Sequence, residues 1–173
     1  MINRLITLIS IKKAVKLDEK NINLFEYKLR NKVIDKGFAI LAIVGPPGSG
    51  KTTISNKIIN DGFLTFKNEE IMVIDDLIGP ESIKYKKRDL KRPENICKRK
   101  LLIISDFRAA VYLKRLDFII LLKMDEDKRL ENLKKRESRK YKLYKKWYFQ
   151  IPPIPLRFIK KDLYLVDNIA SVV

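Results

Sequence analysis

Hydrophobic residues along this chain come in short uninterrupted blocks. Five runs, at 38–44, 71–74, 101–104, Phe118–Leu122 and 163–166, consist almost wholly of Ile, Leu, Val, Phe and Ala. A run without polar alternation is the pattern of a strand covered on both faces. The segments between the runs are polar and capable of helix. Strands alternating with helical connections predict parallel βαβ units, hence an α/β protein whose sheet carries helices on both sides. Upstream, Ile2, Leu5, Ile6 and Ile9 recur at helical spacing, and residues 1–36 are expected to form two helices broken near residues 18–23. The expected organisation is an N-terminal helical segment, 1–36, packed on a core domain spanning 37–173.

Length and composition narrow the picture. At 173 residues, 46% hydrophobic and 34% charged, the chain fits one globular domain with an ionic surface. There is no histidine. Ser-His and Cys-His catalytic pairs, imidazole bases and His-ligated zinc are therefore excluded. The single cysteine, Cys97, cannot make an internal disulfide, which points to a reducing compartment, with the cytoplasm expected. No stretch reaches the roughly 18 consecutive apolar residues of a membrane span. The first 16 residues are basic but not rich in Ser or Arg, so a targeting role is not expected.

The chemistry is concentrated after the first strand. Gly45-Pro46-Pro47-Gly48-Ser49-Gly50-Lys51-Thr52 satisfies G-x-x-x-x-G-K-[ST]. Glycines there let backbone N–H groups wrap an anion, and the helix that follows adds positive potential at its N-terminus. Lys51 is expected to reach the β- and γ-phosphates of a nucleoside triphosphate, Thr52 to hold Mg²⁺, and Thr53 to touch the α-phosphate. Two later runs end in carboxylates: Asp75-Asp76, and Asp106 after Leu-Leu-Ile-Ile-Ser. In an open parallel sheet the strands' carboxyl ends face the ligand crevice, so both should converge on the loop. Asp106 is assigned to the Mg²⁺ shell, with Asp76 a second metal candidate. Asp75 is assigned as the base that takes the acceptor's hydroxyl proton. After the fourth run, Asp125-Glu-Asp-Lys-Arg129-Leu leads into Arg136 and Arg139. Arg129 and Arg136 are two helical turns apart, and the three arginines suit closure over a γ-phosphate.

In this order the residues resemble the small P-loop kinases of the uridine-kinase-like group. The resemblance covers roughly 38–168. It rests on the phosphate loop, on Asp75-Asp76-Leu77-Ile78 for the family's D-[SD]-[FL]-Y, on the strand ending at Asp106, and on Asp125-x-Asp127-x-Arg129-Leu130 opening a lid. Trp147, Tyr148 and Phe149 fit the lid-to-last-strand connection. The resemblance implies a three-layer P-loop kinase fold with a five-stranded parallel sheet and a basic lid at about 125–148, preceded by the N-terminal helices. It also implies transfer of the γ-phosphoryl of Mg-ATP to a small hydroxyl acceptor such as a nucleoside. Ile78 and Phe107 depart from the family pattern on the acceptor side, which leaves a degenerate kinase as an alternative. Asp76-x-x-Gly79 and Leu122-Lys-Met-Asp125 formally approach GTPase motifs, but leucine stands where guanine reading needs asparagine.

Charge sharpens the partners. The formal net charge is +17, and it is uneven: residues 84–100 hold nine basic and two acidic side chains, and 128–146 hold ten and two. Both segments are expected to border the phosphate site, where they would hold phosphates and favour an anionic acceptor. The alternative partner for the same segments is nucleic acid, as in a polynucleotide 5′-OH kinase or an RNA-associated ATPase.

Overall fold

The computed structural model describes residues 14–75, 96–106, 113, 115–136 and 162–166. Six parallel strands form one sheet: β1 (Val15–Lys16), β2 (Ala39–Val44), β3 (Ile71–Asp75), β4 (Leu101–Ser105), β5 (Phe118–Leu122) and β6 (Asp162–Val166). Among the described residues, three α-helices accompany them: α1 (Ile22–Lys36), α2 (Lys51–Asp61) and α3 (Glu126–Arg136). The strand order is β1-β6-β5-β2-β4-β3.

The apolar runs become the sheet for the reason their pattern implies. All six residues of β2 and all five of β4 and β5 are buried. Alternate residues feed two cores. Leu41, Ile43, Leu101, Ile103, Phe118 and Ile120 face one side, where Phe25 and Leu29 of α1 and Ile54 and Ile58 of α2 cover them. Ile40, Ala42, Leu102, Ile104, Ile119 and Leu121 face the other, with Ile96, Leu113 and Leu116. The connections following β3 and β4 lie largely outside the described residues.

Two expectations are corrected here. The sheet has six strands, not five, because Val15 and Lys16 pair in parallel with Tyr164 and Leu165. The same pairing shows that this part of 1–36 is strand and not helix. The break near residues 18–23 exists as a turn: Asp18 accepts from the Lys20 N–H at 3.0 Å, and the Asn21 side chain bonds both the Asp18 N–H and the Lys16 carbonyl. After that turn α1 runs to Gly37, whose N–H closes the helix onto the Val33 carbonyl. Phe25 anchors α1, its ring edge-on to Tyr164 at 4.6 Å and to Phe118 at 5.7 Å between centroids.

The topology also fixes where a ligand would sit. From β2 the chain runs toward the β4–β3 side, whereas from β5 it runs toward β6 on the opposite side. The connections leaving β2 and β5 therefore part between two adjacent strands. In parallel α/β sheets such a divergence at the carboxyl ends is where ligands bind.

Candidate functional site

The loop after β2 lies at this divergence. Gly45 is buried against the end of β5, and a Cβ built on it would stand 2.9 Å from the Leu122 Cβ and 2.7 Å from the Ser49 hydroxyl. Only a residue without a side chain lets the chain turn there. The turn is closed by the Ser49 N–H donating to the Pro46 carbonyl at 3.1 Å. Gly48 and Gly50 have φ of +83° and +85°. That left-handed conformation strains any side chain and turns successive backbone groups toward one concavity.

Lys51 opens α2 and folds back into the loop. Its ammonium donates to the Gly45 carbonyl at 2.8 Å and the Pro46 carbonyl at 3.2 Å, and the residue is buried. A lysine held this way keeps its charge at the loop's centre. Gly50 caps α2 with no side-chain hydrogen bond, so the first turn, including Thr52 and Thr53, offers backbone N–H groups that no cap consumes. The Ser49 hydroxyl is buried without a hydrogen-bond partner, as is that of Ser105 at the end of β4. An orphaned buried donor, a central ammonium and an uncapped helix start are what a phosphate oxygen would complete.

The strand-end carboxylates take the adjoining places. Ser105 is in register with Ile43 on one side and with Asp75 on the other. Asp106 follows Ser105 immediately and is 1% exposed. Asp75 closes β3, partly exposed, one strand further from the loop. The sheet thus aligns Gly45, Asp106 and Asp75 along the carboxyl edge of three adjacent strands. A threonine hydroxyl with a buried carboxylate is an oxygen donor set suited to Mg²⁺, which takes its remaining ligands from water and phosphate. Thr52 and Asp106 fit that requirement. Asp76 lies outside the described residues.

Arg129 is 1% exposed and lies against the loop. Its Nε and Nη2 donate to the two oxygens of Glu126 at 2.7 and 2.5 Å, and its Nη1 donates to the Pro47 carbonyl at 3.2 Å. The Arg129 hydrogen bond holds the Glu126 carboxyl below the usual glutamate range. One turn on, the Asn132 amide donates to the Gly48 carbonyl at 3.3 Å. Arg136 is the last residue of α3, and Arg139 lies outside the described residues, as do Ile78, Phe107 and the aromatic residues 147–149.

Glu126 and Asn132 escaped the sequence reading. Their signal was present: 126, 129, 132 and 133 recur at i, i+3, i+6 and i+7 on one helix face. Asp125 also acquires a definite task. Its Oδ1 accepts from the N–H groups of Asp127 and Lys128, capping α3, which places this carboxylate at a helix start as a cap. Among the described residues, no helix is long and apolar enough to cross a membrane.

The chain matches no protein-family model and no curated protein. Among solved structures it is similar to TT1252 from Thermus thermophilus, at 14% identity and a TM-score of 0.47, over 76% of this chain and 89% of that one. It is also similar to APE1195, at 19% identity and a TM-score of 0.40, over 78% of this chain and 87% of that one.

Proposed function

We propose that this protein is an ATP-dependent phosphotransferase of the P-loop kinase type, with the three-layer fold of that group, working in a reducing cytoplasm. It moves the γ-phosphoryl of ATP to a hydroxyl of a small acceptor, nucleosides first among them. The observation that carries this reading is the Lys51 ammonium drawn into a glycine loop directly ahead of an uncapped helix.

Phosphoryl transfer needs mainly positioning and charge neutralisation. The loop N–H groups and Lys51 hold the β- and γ-phosphates. Thr52 and Asp106 are the residues that would hold Mg²⁺, which when bound would offset the charge of the phosphates. Asp75, at the edge of the crevice, orients the acceptor hydroxyl and takes its proton. Arg136, the last residue of α3, and Arg139 are the arginines that would neutralise charge on the transferring γ-phosphoryl. The connection from Gly79 to Lys100 is short, which favours a compact acceptor.

Nucleic acid is the alternative partner for the two basic segments, four of whose described cations have partners on the protein itself. Arg99 donates to the Asn68 and Ile71 carbonyls, Lys100 pairs with Glu70, Arg129 with Glu126 and Lys135 with Glu131. Those cations are engaged within the fold.

An ATP-consumption screen against nucleosides, nucleotides, sugars and 5′-OH oligonucleotides tests the proposal. Turnover stimulated by a nucleoside and lost in Lys51→Ala is expected. Stimulation by oligonucleotides alone would reassign the acceptor, and consumption that survives in Lys51→Ala would remove the loop from the reaction.

A further inference from the structure

The face of α3 that meets the loop has a consequence for how the loop binds anions. Arg129, Asn132 and Leu133 share that face. The Arg129 guanidinium holds the Pro47 carbonyl, and the Asn132 amide holds the Gly48 carbonyl. Leu133 and the Arg129 backbone carbonyl press on the Gly48 α-carbon, 3.0 and 2.8 Å from where a Cβ would stand.

A trans peptide unit is rigid and planar, with its C=O and the following N–H pointing in opposite directions. A donor that holds the Pro47 carbonyl toward α3 therefore turns the Gly48 N–H away from α3. The Asn132 amide likewise orients the unit joining Gly48 to Ser49, whose N–H closes the turn on the Pro46 carbonyl. With glycine at 48, neither plane is fixed by a side chain of its own, so an outside constraint has the most effect there.

We infer that Arg129 and Asn132 are positioning residues that clamp the Pro47–Gly48 and Gly48–Ser49 peptide planes from behind, setting the Gly48 N–H for a phosphate and holding the turn that the Ser49 N–H closes on the Pro46 carbonyl. Glu126 completes the clamp. Its carboxylate takes two donors of Arg129 and leaves the third on the loop. Arg129 thus acts through the loop backbone and does not itself face the transferring group. The inference rests on the reading of the loop as a phosphate site.

Calorimetric titration of the full chain with sodium tripolyphosphate tests it, with melting temperatures followed in parallel. Tripolyphosphate reports phosphate binding alone, with no base or acceptor. Asn132 is exposed, so its variants should fold. Asn132→Leu should weaken binding about tenfold, the effect of one lost hydrogen bond, with little change in melting temperature, and Glu126→Gln should weaken it by a similar factor. Asn132→Gln, which keeps an amide donor, should recover part of the loss. Wild-type affinity in Asn132→Leu and Glu126→Gln, while Lys51→Ala loses binding, would overturn the clamp and leave the loop intact as a site. Equal weakening in Asn132→Leu and Asn132→Gln would assign the effect to packing, also against the clamp. If Lys51→Ala binds tripolyphosphate as the wild type does, the loop reading itself fails.

Discussion

Gly48 and Arg129 touch through their backbones: the Arg129 carbonyl oxygen lies 2.8 Å from the point a Cβ on Gly48 would occupy. The loop and the helix after β5 therefore meet with no room for a methyl group. Gly50, two residues on, has almost the same φ but nothing within 4 Å of its Cβ position.

That pair separates backbone strain from crowding. Gly50→Ala should cost about 1 kcal/mol, the cost of a left-handed alanine. Gly48→Ala carries the same strain plus an overpacked contact with main chain, and should cost about 3 kcal/mol. Urea denaturation of the two variants measures the difference. Equal costs would mean that α3 does not press on the loop in solution.

Asp75 and Asp106 stand at neighbouring strand ends but differ in exposure and should differ in kinetics. Asp75→Asn should lower kcat by roughly 100-fold or more, as loss of a general base does, with ATP affinity nearly unchanged. Asp106→Asn should instead raise the Mg²⁺ concentration needed for half-maximal rate by about tenfold or more. The check is steady-state kinetics across a Mg²⁺ series. Equal loss of turnover and ATP affinity in Asp75→Asn would move that residue to the metal.

The Glu126–Arg129 pair gives stability a pH dependence of definite sign. Arg129 lowers the Glu126 carboxyl in the folded state below its unfolded value. A depressed carboxylate contributes fully above the unfolded pKa, about 4.3, and loses its contribution as pH falls through the folded value. The wild type should therefore melt above Glu126→Gln at pH 7. The gap should close as the pH falls below about 4. Thermal melts of both proteins from pH 7 to pH 3 measure it, and a gap independent of pH would exclude the ion pair as its source.

Phe25 is the side chain on which α1 depends, since its ring meets Phe63, Phe118 and Tyr164 edge-on. Phe25→Ala should destabilise the fold by about 3–5 kcal/mol, the usual cost of emptying a buried aromatic site. Chemical denaturation checks this. Tyr27→Ala on the exposed side of the same helix should cost under about 0.5 kcal/mol.

Long strands announced themselves in the residue pattern and the short one did not. The run expected at 38–44 is β2, Ala39–Val44, and that expected at 101–104 is β4, Leu101–Ser105. Burial on both faces leaves no polar position to interrupt such runs. In β1, Val15 and Lys16 are both exposed, so their pairing with β6 is a matter of main-chain hydrogen bonds and leaves no trace in hydropathy. The loop was legible because each of its glycines answers a geometric demand. The burial of Arg129 was not legible, because nothing in the residue pattern of so charged a helix marks one arginine as enclosed. Its burial follows from Glu126 and Leu133 on the same face, a relation that appears only once the helix is laid against the loop.

The pairing of β1 with β6 ties the two ends of the described chain together. Val15 lies beside Tyr164, and Phe25 packs on that same tyrosine. On a ribosome, residues near 15 and 25 are made long before residue 164. The apolar side of α1 must therefore wait, with Phe25 partly unclothed, until the last strand emerges. Closure of this sheet edge is a late event that joins the most distant parts of the chain, the kind of contact that slows folding. The glycine loop after β2, by contrast, is built between β2 and β5, and the partners described for it lie outside β6.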